Sequence, residues 1–136
     1  MVRGVDNVYY DDLTEGLTAA ASASSKVLLV YKSGLLAKGD YTIPAGVTLL
    51  VPGDDAYTVR NGDMADADGV DYVSPTCYRE LIMEDHTNIT VNGNISIYAT
   101  VGKAVGKNTA PVKYGKLAMG NNCHITINNG ALFTAY

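Results

Sequence analysis

Apolar and polar residues alternate along "TVNGNISIYA" at 90–99, and a matching line, "TINNGALFTA", returns at 126–135. "TIPAGVTLLV" at 42–51 has the same form. Aligned without gaps, Ile43 matches Val91 and Ile127, and Val47 matches Ile95 and Ala131. Leu49 then falls with Ile97 and Phe133, and Val51 with Ala99 and Ala135. Thr42, Thr90 and Thr126 open the three lines. A period of two predicts strands with one face turned inward. The triplets between them, "PAG", "NGN" and "NNG", are turn formers that accept unusual backbone angles. The expected unit is a strand, a tight corner and a second strand, with equivalent side chains inward each time.

The second and third copies extend further back. "LIMEDHTNI" at 81–89 corresponds to "LAMGNNCHI" at 117–125, an offset of 36 residues, which is a spacing typical of stacked repeats. The first copy precedes the second by 48 residues. The extra length is expected in the insertion around 53–75, within "PGDDAYTVRNGDMADADGVD", looping out of the stack. Alternation, corner chemistry and repetition together predict an all-β coil of parallel strands, with Ile43, Val91 and Ile127 in one inner ladder. A one-residue shift of the third copy would turn Leu132 inward instead of Phe133. The ungapped register agrees with the other copies and is the expected one.

One helix is predicted, over "DDLTEGLTAAASA" at 11–23. Asp12 is placed to cap it, with Glu15 in capping-box position. Leu13, Leu17, Ala20 and Ala21 form a narrow apolar stripe. Gly16 weakens the helix, which therefore needs a partner surface. Residues 1–26 are expected to form an N-terminal cap and 27–136 the coils. "GALFTAY" stops within a strand, so the opposite end is expected to be open, to precede further coils or meet a partner, and to promote self-association.

Composition narrows the partners. A chain of 136 residues suits one domain, and 47% hydrophobic with 18% charged residues suits a folded one. A net charge of -4 and a pI near 4.9 argue against nucleic acid and against anionic membrane surfaces. No apolar run is long enough for membrane insertion as a helix, and "MVRGVDNVYY" lacks the apolar core of a signal peptide.

Candidate chemistry is sparse. Asp63, Asp66, Asp68 and Asp71 are clustered as calcium ligands can be, but placing Gly69 sixth in an EF-hand puts Met64 first and Pro75 twelfth. His86 and His124 occupy non-equivalent repeat positions without a third ligand nearby in sequence. Cys77 and Cys123 lack CxxC spacing and read as small buried hydrophobes rather than a disulfide. "ASASSK" reads as a linker, and "GKAVGKNTAPVKYGK" at 102–116 as a loop between repeats. Tyr98 and Tyr136 are expected to point outward, where aromatic faces suit sugar or protein contact. Asn88 and Asn94 lie in glycosylation sequons that read as chance matches. No catalytic, cofactor or metal residues are assigned.

"VYYDDLTEGLTAAASASSKVLLVYKSG" followed by "YTIPAGVTLLVP" resembles the opening of right-handed parallel β-helix modules in bacterial surface and secreted proteins, within the pectin-lyase-like superfamily. "CYRELIMEDHTNITVNG" and "YGKLAMGNNCHITINNGALFTAY" resemble their later coils. The resemblance implies a right-handed β-helix (β-solenoid) with a capping helix, located extracellularly or at a cell surface. The carboxylate and basic-residue patterns of that superfamily's lyases and hydrolases have no counterpart here. The expected function is a non-catalytic structural scaffold, with a carbohydrate- or protein-binding face as a possible elaboration. A carbohydrate-active enzyme fragment and a phage tail-fibre segment are the alternatives.

Overall fold

The computed structural model describes residues 2–4, 8–30, 33–52, 78–101 and 112–135, which form mostly β-structure with one helix. In chain order these are β1 (Val2–Gly4), β2 (Tyr9–Tyr10), α1 (Leu13–Ser22), β3 (Val27–Val30), β4 (Gly34–Leu36), β5 (Asp40–Ile43) and β6 (Thr48–Pro52). Then come β7 (Tyr78–Met83), β8 (Asn88–Val91), β9 (Asn94–Val101), β10 (Val112–Met119), β11 (His124–Ile127) and β12 (Leu132–Ala135). The insertion around 53–75 lies outside the described residues.

Parallel pairing joins strands far apart in sequence into three series. In the first, β3, β6, β9 and β12 lie side by side, with Leu28 beside Leu49, Leu49 beside Ile95, and Ile95 beside Phe133. In the second, Leu36 of β4 aligns with Met83 of β7, and Met83 with Met119 of β10. In the third, Ile43 of β5 aligns with Val91 of β8, and Val91 with Ile127 of β11. The chain visits second, third and first series in that order three times. Inward aliphatic side chains come from alternate residues, as the period-two pattern requires. Leu36, Ile43, Leu49, Met83, Val91 and Ile95 are all buried in one core.

Two details of register depart from the ungapped alignment. The first and third copies agree across the corner, but the second is two residues shorter there. Asn92 and Gly93 both donate backbone N–H groups to the carbonyl of Ile43, and Asn94 then donates to Val47 O at 2.8 Å. Ile95 therefore sits beside Leu49, not beside Val47, while Val47 is buried at the wider corner. Gly93 makes the short corner possible: a Cβ there would collide with the carbonyl oxygens of Pro44 and Val47. A two-residue change preserves which side chains face inward; a one-residue change would have reversed them. Phe133 is accordingly half-buried and Leu132 exposed.

The second departure is in "GKAVGKNTAPVKYGK". Residues 102–111 lie outside the described set, but 112–116 are not a loop; they begin β10. Val112, Lys113 and Tyr114 pair antiparallel with Val101, Thr100 and Ala99 of β9. This hairpin joins the first and second series into one nine-stranded sheet, leaving β11, β8 and β5 as a separate one.

At the N-terminal end, β1 pairs antiparallel with both β2 and β3. Asp12 caps α1 by accepting the Thr14 N–H at 3.0 Å, satisfying one of the donors that a helix start leaves open. Leu13, Gly16, Leu17 and Ala20 face inward. A Cβ on Gly16 would lie 2.6 Å from Val2 Cγ2 and 3.1 Å from Leu28 Cδ2. The glycine that weakens the isolated helix is what lets it close onto β1 and β3.

Candidate functional site

The polar side chains of the repeats are largely used to join neighbouring strands. Asn88 Nδ2 donates to Asp40 Oδ1 at 2.9 Å, Asn128 Nδ2 to Asn92 Oδ1 at 2.6 Å, and Asn94 Nδ2 to Thr48 Oγ1 at 3.2 Å. Lys116 Nζ pairs with Glu80 Oε1 at 3.1 Å. The Asn121 N–H donates to Asp85 Oδ1 at 2.7 Å, and the Lys38 N–H to Glu84 Oε2 at 2.9 Å. Each contact bridges adjacent copies, the side-chain counterpart of the backbone ladder. Both sequon asparagines therefore have their amides engaged. The aligned copies place these polar residues at repeat offsets, so the signal was present, but only pairing geometry showed which groups meet.

His86 sits at a corner and His124 opens β11. His86 takes a left-handed conformation, φ 63°, and its N–H donates to Asn121 O at 2.9 Å. The equivalent Asn122 has φ 55°. The His124 N–H donates to Thr87 O at 3.2 Å, and its residue aligns with Asn88, not with His86. Corner backbone angles, which His and Asn adopt more readily than most residues, account for His86.

Cys123 carries a free, half-buried thiol that donates to Glu84 O at 3.1 Å; Cys77 lies outside the described residues. One copy earlier, the equivalent Thr87 is fully buried and its hydroxyl finds no partner among the described residues. Tyr41 donates its hydroxyl to Ala37 O at 2.8 Å. Burial raises its pKa above the usual value, and the carboxylates of Asp12 and Glu84 add to the effect.

A groove of about 460 Å³ runs between α1 and β1–β3, lined by Gly4, Tyr10, Gly16, Ala20, Ser24 and Leu28 among others. The predicted linker serines thus form part of its rim. Among the described residues its walls offer small apolar surfaces, hydroxyls and one aromatic ring, and no carboxylate, histidine or lysine. The described lining can hold a small apolar group, and none of its side chains is suited to proton transfer near neutral pH.

A second open surface is at the other end. Among the described residues β11 pairs only with β8, and β12 only with β9. Ile127 is 48% exposed although Ile43 and Val91, in the same ladder, are sealed. Tyr98 is half-buried, which does not leave it a fully outward platform. Tyr136 and Asp63, Asp66, Asp68 and Asp71 fall outside the described residues. Among those described, no group of three or more His, Cys, Asp or Glu could hold a metal ion, and no helix is long and apolar enough to cross a membrane.

No family model, curated protein or solved structure matches the chain. Nothing in these comparisons suggests an enzymatic activity.

Proposed function

We propose that the chain is a right-handed parallel β-helix module acting as a non-catalytic scaffold in a bacterial surface or secreted protein. One observation carries this reading: the second, third and first strand series are visited in the same order three times, always in parallel register. A chain that returns to a parallel neighbour through a crossover strongly favours the right-handed path, which supports the winding sense. Bridging side chains such as Asn128–Asn92 and Asp40–Asn88 tie each turn to the next. A wall built this way resists bending, and its connecting loops can carry recognition chemistry without disturbing the coil.

The competing reading is an enzyme that cleaves acidic polysaccharide. Incubation with polygalacturonate and related uronic-acid polymers, with and without calcium, separates the two. The scaffold reading expects no new reducing ends and no unsaturated product absorbing in the ultraviolet. Turnover that rises with protein concentration would overturn it.

A further inference from the structure

The chain holds three Asn-Gly pairs, at 61–62, 92–93 and 129–130. The first lies outside the described residues; the other two occupy the same corner in successive copies. Such a pair carries its own nucleophile, because a glycine nitrogen, unshielded by a β-carbon, can reach the preceding side-chain amide. The two corners treat that nitrogen differently.

At Asn92–Gly93 it is held. The Asn92 and Gly93 N–H groups donate to Ile43 O at 2.9 and 3.2 Å, and Asn92 Oδ1 accepts from Asn128 Nδ2. Gly93 is buried against the carbonyl oxygens of Pro44 and Val47. At Asn129–Gly130 the Ala131 N–H donates to Asn128 O at 3.0 Å, and Gly130 has φ 86°, which makes a type II turn. That turn leaves the Gly130 N–H without an acceptor among the described residues. Both residues are exposed, and a Cβ on Gly130 would meet nothing within 4 Å.

This openness belongs to the wide corner and not to the end of the chain. In the first copy the Val47 N–H donates to Pro44 O at 3.0 Å and Gly46 has φ 82°, the same turn. Ala45 and Gly46 are exposed there too, although β8, β9 and Gly93 pack directly alongside.

We propose that Asn129 is a self-modification site, converting to aspartate and isoaspartate in the folded chain while Asn92 is protected. The Gly130 nitrogen loses its proton to hydroxide and attacks Asn129 Cγ. An N–C bond forms, the bond from Cγ to the side-chain nitrogen breaks, and ammonia leaves a five-membered succinimide. One water opens either carbonyl of that ring, and nothing is oxidised or reduced. Attack requires the Asn129–Gly130 peptide to rotate, which an open glycine turn permits. The same rotation at Gly93 would break its bond to Ile43 O and drive the chain against Pro44 and Val47. Ala45 fills the position equivalent to Asn129 in the first copy, so the turn does not need the asparagine side chain and the aspartate product keeps the fold. The inference rests on two corners and not on the scaffold role.

Ageing the full chain in mildly alkaline buffer, followed by tryptic mapping with mass spectrometry, tests it. Cleavage after Arg60, Arg79 and Lys116 puts the three pairs in separate peptides. In the folded chain Asn129 should convert at least about tenfold faster than Asn92, since the closed corner must first open locally. In concentrated urea the Asn92 rate should rise to meet it. Asn129→Ala should abolish conversion in the last peptide and keep the wild-type circular dichroism spectrum. Asn92 converting as fast as Asn129 in the folded chain overturns the inference, as does an Asn129 that converts only in urea. A gap between the two rates that persists in urea also counts against it, because the fold would not be its cause. Should Asn129→Ala fail to fold, fragmentation of the wild-type peptide locates the converted residue, and any position other than Asn129 overturns the assignment.

Discussion

Met83 and Met119 occupy the same position in successive copies, paired across parallel strands, yet Met83 is sealed and Met119 is 49% exposed. The same contrast separates Val91 from Ile127 in the neighbouring ladder. Side-chain chemistry and register are alike; what differs is the layer beyond. The middle copy has neighbours on both sides, and the first is closed by α1, β1 and the ring of Leu13, Leu17 and Ala20. Among the described residues nothing covers the last. A repeat supplies an inward apolar face, and its neighbours decide how much stabilisation that face delivers.

The sharpest test of this contrast truncates the two methionines. Met83→Ala should destabilise by about 3 kcal/mol and Met119→Ala by about 1 kcal/mol or less, read from urea midpoints at constant slope. Equal losses would mean that the last copy is as well covered as the middle one. Next in size are the corners. Gly93→Ala should cost about 2 kcal/mol, because the new methyl meets fixed carbonyl oxygens. Gly130→Ala, at an open corner with φ 86°, should cost about 1 kcal/mol from backbone strain alone.

A smaller effect of opposite sign is expected at the equivalent pair Thr87 and Cys123. Thr87→Val removes a buried hydroxyl that finds no partner among the described residues and should stabilise by about 1 kcal/mol. Cys123→Val breaks the contact with Glu84 O and should bring no gain. A destabilised Thr87→Val would show that the hydroxyl has a partner after all.

The smallest effect is confined to alkaline solution. A tyrosine whose folded pKa lies above its unfolded value gives stability that is complete below the unfolded pKa and lost as pH rises through the folded one. For Tyr41, raised above its ordinary 10.0, stability should hold to about pH 10 and then decline. Tyr41→Phe should flatten that decline in pH-dependent thermal melts while costing under about 1 kcal/mol at neutral pH. An identical alkaline slope in both proteins would remove Tyr41 as its source.

Much of the architecture was legible along the chain because its signals are local. Asp12, with Glu15 three residues on and an apolar stripe following, is a local signal for a helix start, and the observed helix begins there. The offset of 36 residues between Leu81 and Leu117 appeared directly as strand pairing. The corner at Asn92 and Gly93 was harder: "NGN" aligned with "PAG" by composition, while its length was set by backbone contacts with Pro44 and Val47. Lys113 and Tyr114 were obscured by the glycines and lysines around them, which read as a loop until β9 provided an edge.

The sequence by itself determined the repeating unit, its inward positions and its capping helix, since alternation, corner residues and helix caps act over a few neighbouring residues. Tertiary structure alone decided which copies are sealed, which asparagines meet across strands, and why Gly16 stands in the helix. Those properties depend on atoms well separated along the chain, from Gly16 against Val2 and Leu28 to Asn92 against Asn128, 36 residues apart, and no local pattern records how closely two distant segments approach.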